Sequence, residues 1–366
     1  MDATDSISRI LREGLRTRVF PGAVLFVRHK GQIRVHRAIG QISSLPDSPP
    51  VQTDTIYDLA SLTKPLVTVS SLLLLVYAGK LELSQTLDTF LEETKGAPLG
   101  QIALGALLSH QSGLPAWHPF YQSFPPVFPA ESEFRQHRNQ DVLAMILKEP
   151  IDQSPLKRSV YSDLGYMLLG FVIERMTSQS LAEFSQKQIF KPLEAAPLTF
   201  GMHYSQGNAL DKFAPSEEDP WRGRFLQGEV HDENAAALGG IAGHAGLFGT
   251  AQAVGQVTKA WLDGYTGKPS IFRQDLVRQF VQAQPGTSWG LGWDTPSPPS
   301  SSGQWFSRES FGHLGFTGTS IWIDPFRELE VIFLSNRVHP TRDNQAIKTF
   351  RPHLHDAIIQ DLEKWP

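Results

Sequence analysis

Cysteine is absent from this 366-residue chain, which excludes a disulfide framework and any thiol nucleophile or thiolate metal site. Charge is sparse: 19% of residues are charged, the formal net charge is -4, and the 33 lysines and arginines form no block. Such a surface has no basic field for nucleic acid or anionic lipid, and the expected partner is a small molecule or a peptide. The apolar run Leu66 to Ala78 is shorter than a bilayer span and is interrupted by Thr68, Ser70 and Ser71. The first residues, Met1 to Ser6, are acidic and lack the positive and apolar regions of a secretory signal. The expectation is a cytoplasmic protein, with a mature periplasmic or secreted form as the alternative. No internal repeat or long low-complexity tract is present, and the sequence does not reveal an oligomeric state.

What is present suits a large core, since 40% of residues are hydrophobic. An amphipathic helix is expected over Ile7 to Thr17, then a hairpin from Gly22 to His36 turning at Lys30-Gly31. Near the other end, Ser320 to Asp324 and Glu330 to Asn336 read as a strand pair around Pro325, and Ala346 to Lys364 as a closing helix. Between them lie mostly helical periods, for example Asp141 to Leu147 and Leu181 to Phe190. The fold class is therefore α/β plus α: an antiparallel sheet built from both chain ends and flanked by helices, with an inserted, mostly helical region. The expected division is residues 1–65 plus 250–366 for the sheet and 66–249 for the insert, with the site in the cleft between them.

Chemistry enters at Ser61-Leu62-Thr63-Lys64. Residues three apart share a helix face, so a helix beginning near Ser61 sets the Lys64 amine beside the Ser61 hydroxyl at its positive end. That is an activated nucleophile. The apolar residues behind it, Leu66 to Val76, read as a buried helix, with Pro65 tolerated near the first turn. A second tetrad of the same spacing, Ser154-Pro155-Leu156-Lys157, has no such helix and reads as a loop.

Two further segments follow in order: Tyr161-Ser162-Asp163 before an apolar helical stretch from Leu164 to Met176, and His313-Leu314-Gly315 opening a strand-like run from Phe316 to Asp324. This series resembles the penicillin-recognising serine hydrolases, in the branch of class C β-lactamases, D-peptidases and esterases. The likeness extends to Asp58-Leu59-Ala60, to Leu107 through Pro115, and to Gly290-Leu291-Gly292-Trp293. It implies the β-lactamase/transpeptidase-like fold and an acyl-enzyme on Ser61, with Lys64 and Tyr161 sharing the hydroxyl proton and no cofactor. Lys64 acts as a base only if its pKa is depressed by desolvation or a neighbouring charge. The resemblance also implies an oxyanion hole from the N–H groups of Ser61 and Phe316, and a substrate face formed by Asp163, His313, Leu314 and Gly315. Gly315 would let the strand approach the substrate closely.

Three positions depart from the β-lactamase pattern. Leu314 replaces a hydroxyl that faces the substrate carboxylate, His313 replaces a permanently charged lysine, and Asp163 replaces an asparagine donor. An ionised Asp163 only accepts hydrogen bonds, so it either holds Lys64 charged or binds a donor on the substrate. An ester or amide hydrolase is the first expectation. A true β-lactamase or D-alanyl-D-alanine carboxypeptidase is the alternative within the class, and a catalytically silent peptide-binding module the alternative outside it.

Other patterns lead nowhere chemical. Gly286-Thr287-Ser288-Trp289-Gly290 has the spacing of a nucleophile elbow without the strand and helix that motif requires. His231-Asp232-Glu233 with His244 matches no zinc spacing and reads as caps and loop contacts, so no metal is expected. Gly239 to Gly246 lacks a phosphate-binding lysine and reads as a tight wall near the cleft. His110 and His118 read as loop histidines.

Overall fold

The computed structural model describes residues 5–126, 132–152, 159–200, 210–362 and 365. The tetrad Ser154 to Lys157 lies outside these residues. Strands β1 (Gly22–His29) and β2 (Gln32–Gly40) form the hairpin, and both turn residues have positive φ, Lys30 at 50° and Gly31 at 77°. Such a pair matches the twist of the strands it joins. Strands β3 (Phe311–Leu314), β4 (Ser320–Asp324) and β5 (Leu329–Ser335) complete an antiparallel sheet in the order β2-β1-β5-β4-β3. β1 pairs with β5 from Ala23↔Ser335 to His29↔Leu329, so the two ends of the chain meet at the sheet centre.

β1 is buried on both faces, and its residues alternate between two cores as a strand must. Ala23, Leu25 and Val27 face helices α1 (Asp5–Arg16) and α5 (Ile347–Asp361), joining Leu11, Phe20, Phe333 and Leu354. Val24 and Phe26 face the larger core, which includes Leu66, Leu72, Tyr166 and Trp261. That core takes in α2 (Ser70–Tyr77), α3 (Asp163–Thr177) and α4 (Ala251–Thr266).

Three local features differ from expectation. The helix behind Ser61 starts as a 3-10 turn, Ala60–Leu62, and continues as a π-helical stretch, Lys64–Val69, before becoming α2. Pro65 has no N–H to give to a regular ladder, and its carbonyl accepts instead from Ser70 Oγ at 2.8 Å. The continuous segment Ala60–Tyr77 is long and apolar enough to cross a membrane, but 78% of it is buried inside the protein, so here it is a core helix. The run from His313 to Asp324 is two strands, because a tight turn at Gly315–Gly318 separates β3 from β4. Short strands also occur outside the main sheet: Tyr57–Asp58, Leu247–Gly249 and Thr199–Phe200 form a small antiparallel sheet that ties the segment before Ser61 to the glycine-rich loop.

Candidate active site

Ser61 sits on the 3-10 turn just after Ala60, whose φ is 48°. A β-carbon residue in that region is strained, and the surroundings must hold it. Asp58 does so: its Oδ1 accepts from Ala60 N at 2.8 Å and its Oδ2 from His231 N at 2.6 Å. Burial pushes the Asp58 carboxyl up, against the two N–H donors that draw it down.

Lys64 is wholly buried, and its three ammonium protons have three acceptors. Nζ lies 3.0 Å from Ser61 Oγ, 2.7 Å from Asp163 Oδ1 and 3.3 Å from the His244 carbonyl. Burial opposes the charge, but Asp163 and then Tyr161 outweigh it and hold the amine above its ordinary value. Lys64 is thus an ammonium in the free protein. The depressed pKa that a lysine base requires is absent, because Asp163 takes the role of counter-ion.

Asp163 opens α3, where a carboxylate also suits the helix N-terminus. Ser162 caps the helix, with its Oγ accepting from Gly165 N and donating to the Pro115 carbonyl. Tyr161, one residue earlier, reaches both Ser61 and Lys64 with its hydroxyl. Burial raises its pKa more than the nearby ammonium lowers it, so Tyr161 is a neutral phenol. Its ring packs over His110, with centroids 4.5 Å apart, and beside Trp289 at 5.4 Å.

His110 is therefore part of the site, a role its loop position does not announce. Its Nδ1 accepts from Ser162 N at 3.1 Å, which leaves the ring proton on Nε2. Burial, followed by the charge of Lys64, keeps this imidazole neutral. His313, in β3, is 1% exposed and its Nδ1 donates to the Leu314 carbonyl at 2.8 Å. Burial and the Lys64 charge push it down to about 3, so it brings no positive charge to the cleft at neutral pH.

The turn after β3 is stitched to the residues just before Ser61: Thr317 Oγ1 donates to the Asp58 carbonyl at 2.7 Å and Thr319 Oγ1 to the Leu59 carbonyl at 3.1 Å. This close approach explains Gly315. A β-carbon there would lie 1.9 Å from Thr319 Oγ1 and 2.7 Å from the Leu59 carbonyl. The glycine makes room for the loop that carries Ser61, and it also lines the cleft.

Ser61, Tyr161, Asp163, His313, Leu314, Gly315 and Phe316 all line one cleft of about 680 Å³. Lys64 lies beneath it. The glycine-rich segment forms a wall as expected: Gly243 and His244 offer carbonyls to Thr68 and Lys64, and Ala245 faces the cleft. His231 and His244 direct their Nε2 atoms to Glu217 and Asp232, each at 2.8 Å, and Asp232 caps the helix Glu233–Ala237. Ser288 is not at an elbow; its Oγ donates to Asp294. Arginines missed in the sequence also border the cleft, Arg337 after β5 and Arg351 on α5, with Lys348 beside them. No local motif marks them, since only the meeting of α5 with the β3–β4 turn brings them there.

The family model for β-lactamase matches residues 7–354. The chain belongs to the β-lactamase family. It is 33% identical over 317 residues to a putative D-alanyl-D-alanine carboxypeptidase of Salmonella agona, covering 81% of this chain and 72% of that one. It is 32% identical over 351 residues to an N-acetylmuramyl-L-alanine amidase of Bacillus subtilis, covering 87% and 78%. Among solved structures it resembles EstCE1, described as a hydrolase with promiscuous acyltransferase activity, with a TM-score of 0.77, 18% identity, and coverage of 97% and 98%. That likeness establishes the fold. Family and named relatives together are those of a serine hydrolase that works through an acyl-enzyme.

Proposed function

We propose that this chain hydrolyses an ester or amide through an acyl-enzyme on Ser61, with Lys64 and Tyr161 as the proton-handling pair. The observation that carries this reading is the three-way contact of Ser61 Oγ, Lys64 Nζ and the Tyr161 hydroxyl at the floor of the cleft. Resting Lys64 is an ammonium and resting Tyr161 a phenol, so the pair must lose one proton before it can take that of Ser61. Ser61 Oγ then attacks the carbonyl carbon, and the oxyanion accepts from the N–H groups of Ser61 and Phe316. Tyr161 protonates the leaving group as the intermediate collapses. Water enters, gives its proton to the same pair, and releases the acid from Ser61.

Leu314 gives no hydroxyl to a substrate carboxylate, and His313 gives no charge, which favours neutral esters or amides. A second reading rests on Arg337 and Lys348 at the same cleft. These cations supply what positions 313 and 314 lack, and favour a peptide ending in a carboxylate, as the name of the Salmonella relative suggests.

Labelling with a fluorophosphonate, followed by mass spectrometry of the digest, tests the nucleophile. The expected adduct is on Ser61 alone, and Ser61→Ala is expected to remain folded and unlabelled. An adduct on Ser288 or another serine refutes the assignment.

A further inference from the structure

We propose that Arg351 is a positioning residue for the oxyanion hole: its guanidinium holds the Gly315–Phe316 peptide with the Phe316 N–H turned outward to Ser61. The inference rests on the acyl-enzyme reading above and names the device that orients one of its two donors.

Arg351 is 5% exposed, and among the described residues no carboxylate pairs with it. A buried cation without a counter-ion is costly unless fixed dipoles replace water around it. Here the dipoles are main-chain carbonyls. Arg351 Nη2 donates to the Gly315 carbonyl at 3.0 Å and to the Thr319 carbonyl at 2.7 Å, the two ends of the β3–β4 turn. The Gly315 carbonyl also accepts from Gly318 N at 3.2 Å, so it points into the turn.

The C=O and N–H of a trans peptide point in opposite directions. With the Gly315 oxygen held inward, the N–H of the same peptide, that of Phe316, points out of the turn. Among the described residues no protein group accepts from it. Thr317 and Thr319 bind the turn to Asp58 and Leu59, which fixes the outward face beside Ser61. A second guanidinium completes the clamp, since Arg337 Nε donates to the Phe316 carbonyl at 2.8 Å. A cation on the oxygen of a peptide also polarises its N–H, so the donor is strengthened as well as aimed. Burial and the nearby Arg337 push Arg351 down to about 9, which leaves it charged at neutral pH.

The test uses Arg351→Met, which keeps the apolar stem, and Arg351→Lys, which keeps the charge but not the planar guanidinium whose Nη2 reaches both carbonyls. Each is assayed with a neutral nitrophenyl ester, with a carboxylate-bearing ester, with a boronic acid as transition-state mimic, and with the product acid as ground-state ligand. Arg351→Met is expected to lower kcat/KM on both esters by about 10- to 50-fold, less than the loss of a direct oxyanion donor. Boronate affinity is expected to fall by the same factor, while product affinity stays within about twofold. Arg351→Lys should lie between, and it carries the test if the Met variant does not fold. Unchanged turnover of the neutral ester in a folded variant overturns the proposal. So does a loss confined to the carboxylate ester, which would make Arg351 a direct ligand of the substrate. A wild-type protein that neither turns over esters nor takes the phosphonate label removes the acyl-enzyme reading and this inference with it; a labelled wild type matched by an equally active Arg351→Met removes this inference alone.

Discussion

Replacing Asp163 by asparagine probes the charge balance on which the site is built. Lys64 is wholly buried with its Nζ 2.7 Å from Asp163 Oδ1. Stranding one member of a buried ion pair costs about 3–5 kcal/mol. Three features reduce that figure here: the Asp163 side chain is 18% exposed, the amide oxygen still accepts one hydrogen bond, and Lys64 can release its proton. The expected loss at pH 7 is therefore about 1–3 kcal/mol. Because Asp163 raises the folded-state pKa of Lys64 above the unfolded value near 10.5, the pair stabilises fully below that value and its contribution fades as pH rises through the folded one. Denaturation curves of wild type and variant should differ at pH 7 and converge only in strong alkali. Catalysis should respond in the opposite sense. Without the carboxylate the amine loses its proton more readily, so the rising limb of kcat/KM against pH moves to lower pH. A limb that stays in place or moves to higher pH, with stability unchanged at pH 7, refutes the assignment of Asp163 as the counter-ion of Lys64.

Tyr161→Phe removes only the hydroxyl from a ring packed between His110 and Trp289; turnover of a nitrophenyl ester is expected to fall by about a hundredfold or more, with little change in melting temperature. Gly243→Ala places a β-carbon 2.0 Å from the Tyr166 carbonyl in α3, so a loss of about 1–3 kcal/mol is expected in urea unfolding, together with reduced turnover because the neighbouring His244 carbonyl contacts Lys64. Gly105→Ala, whose β-carbon meets nothing closer than 3.4 Å, is the control expected to change little.

The parts of the molecule written in short-range patterns were legible in the sequence. Two strand-like runs about Lys30-Gly31 specify a hairpin, and a serine three residues from a lysine at the head of an apolar helix specifies their contact. Tyr161 and Asp163 are close in sequence and both reach Lys64, so one motif located both. The turn between β3 and β4 was harder, because Phe316 to Ile323 has the composition of a strand and the break depends on Gly318 at φ 118°. The π-helical stretch follows from Pro65, but its extent depends on Ser70 bonding back to the Pro65 carbonyl. His110 and Arg351 were illegible for another reason. Each is an ordinary polar residue in its own segment, and each gains its role from a partner far away in sequence, Tyr161 for one and the Gly315 carbonyl for the other.

The pairing of β1 with β5 joins residues about three hundred positions apart, and this bears on the order in which a ribosome delivers the site. Ser61, Lys64 and Tyr161 emerge long before residues 311–351, which carry the β3–β4 turn and Arg351. The sheet centre cannot close until β5 arrives, and contacts of such separation form slowly. On the proposed acyl-enzyme reading, a nascent chain thus carries its nucleophile early but gains its oxyanion donor at Phe316 late. On that reading hydrolytic competence requires synthesis to have passed α5, and fragments ending before β3 carry Ser61 without the oxyanion donor.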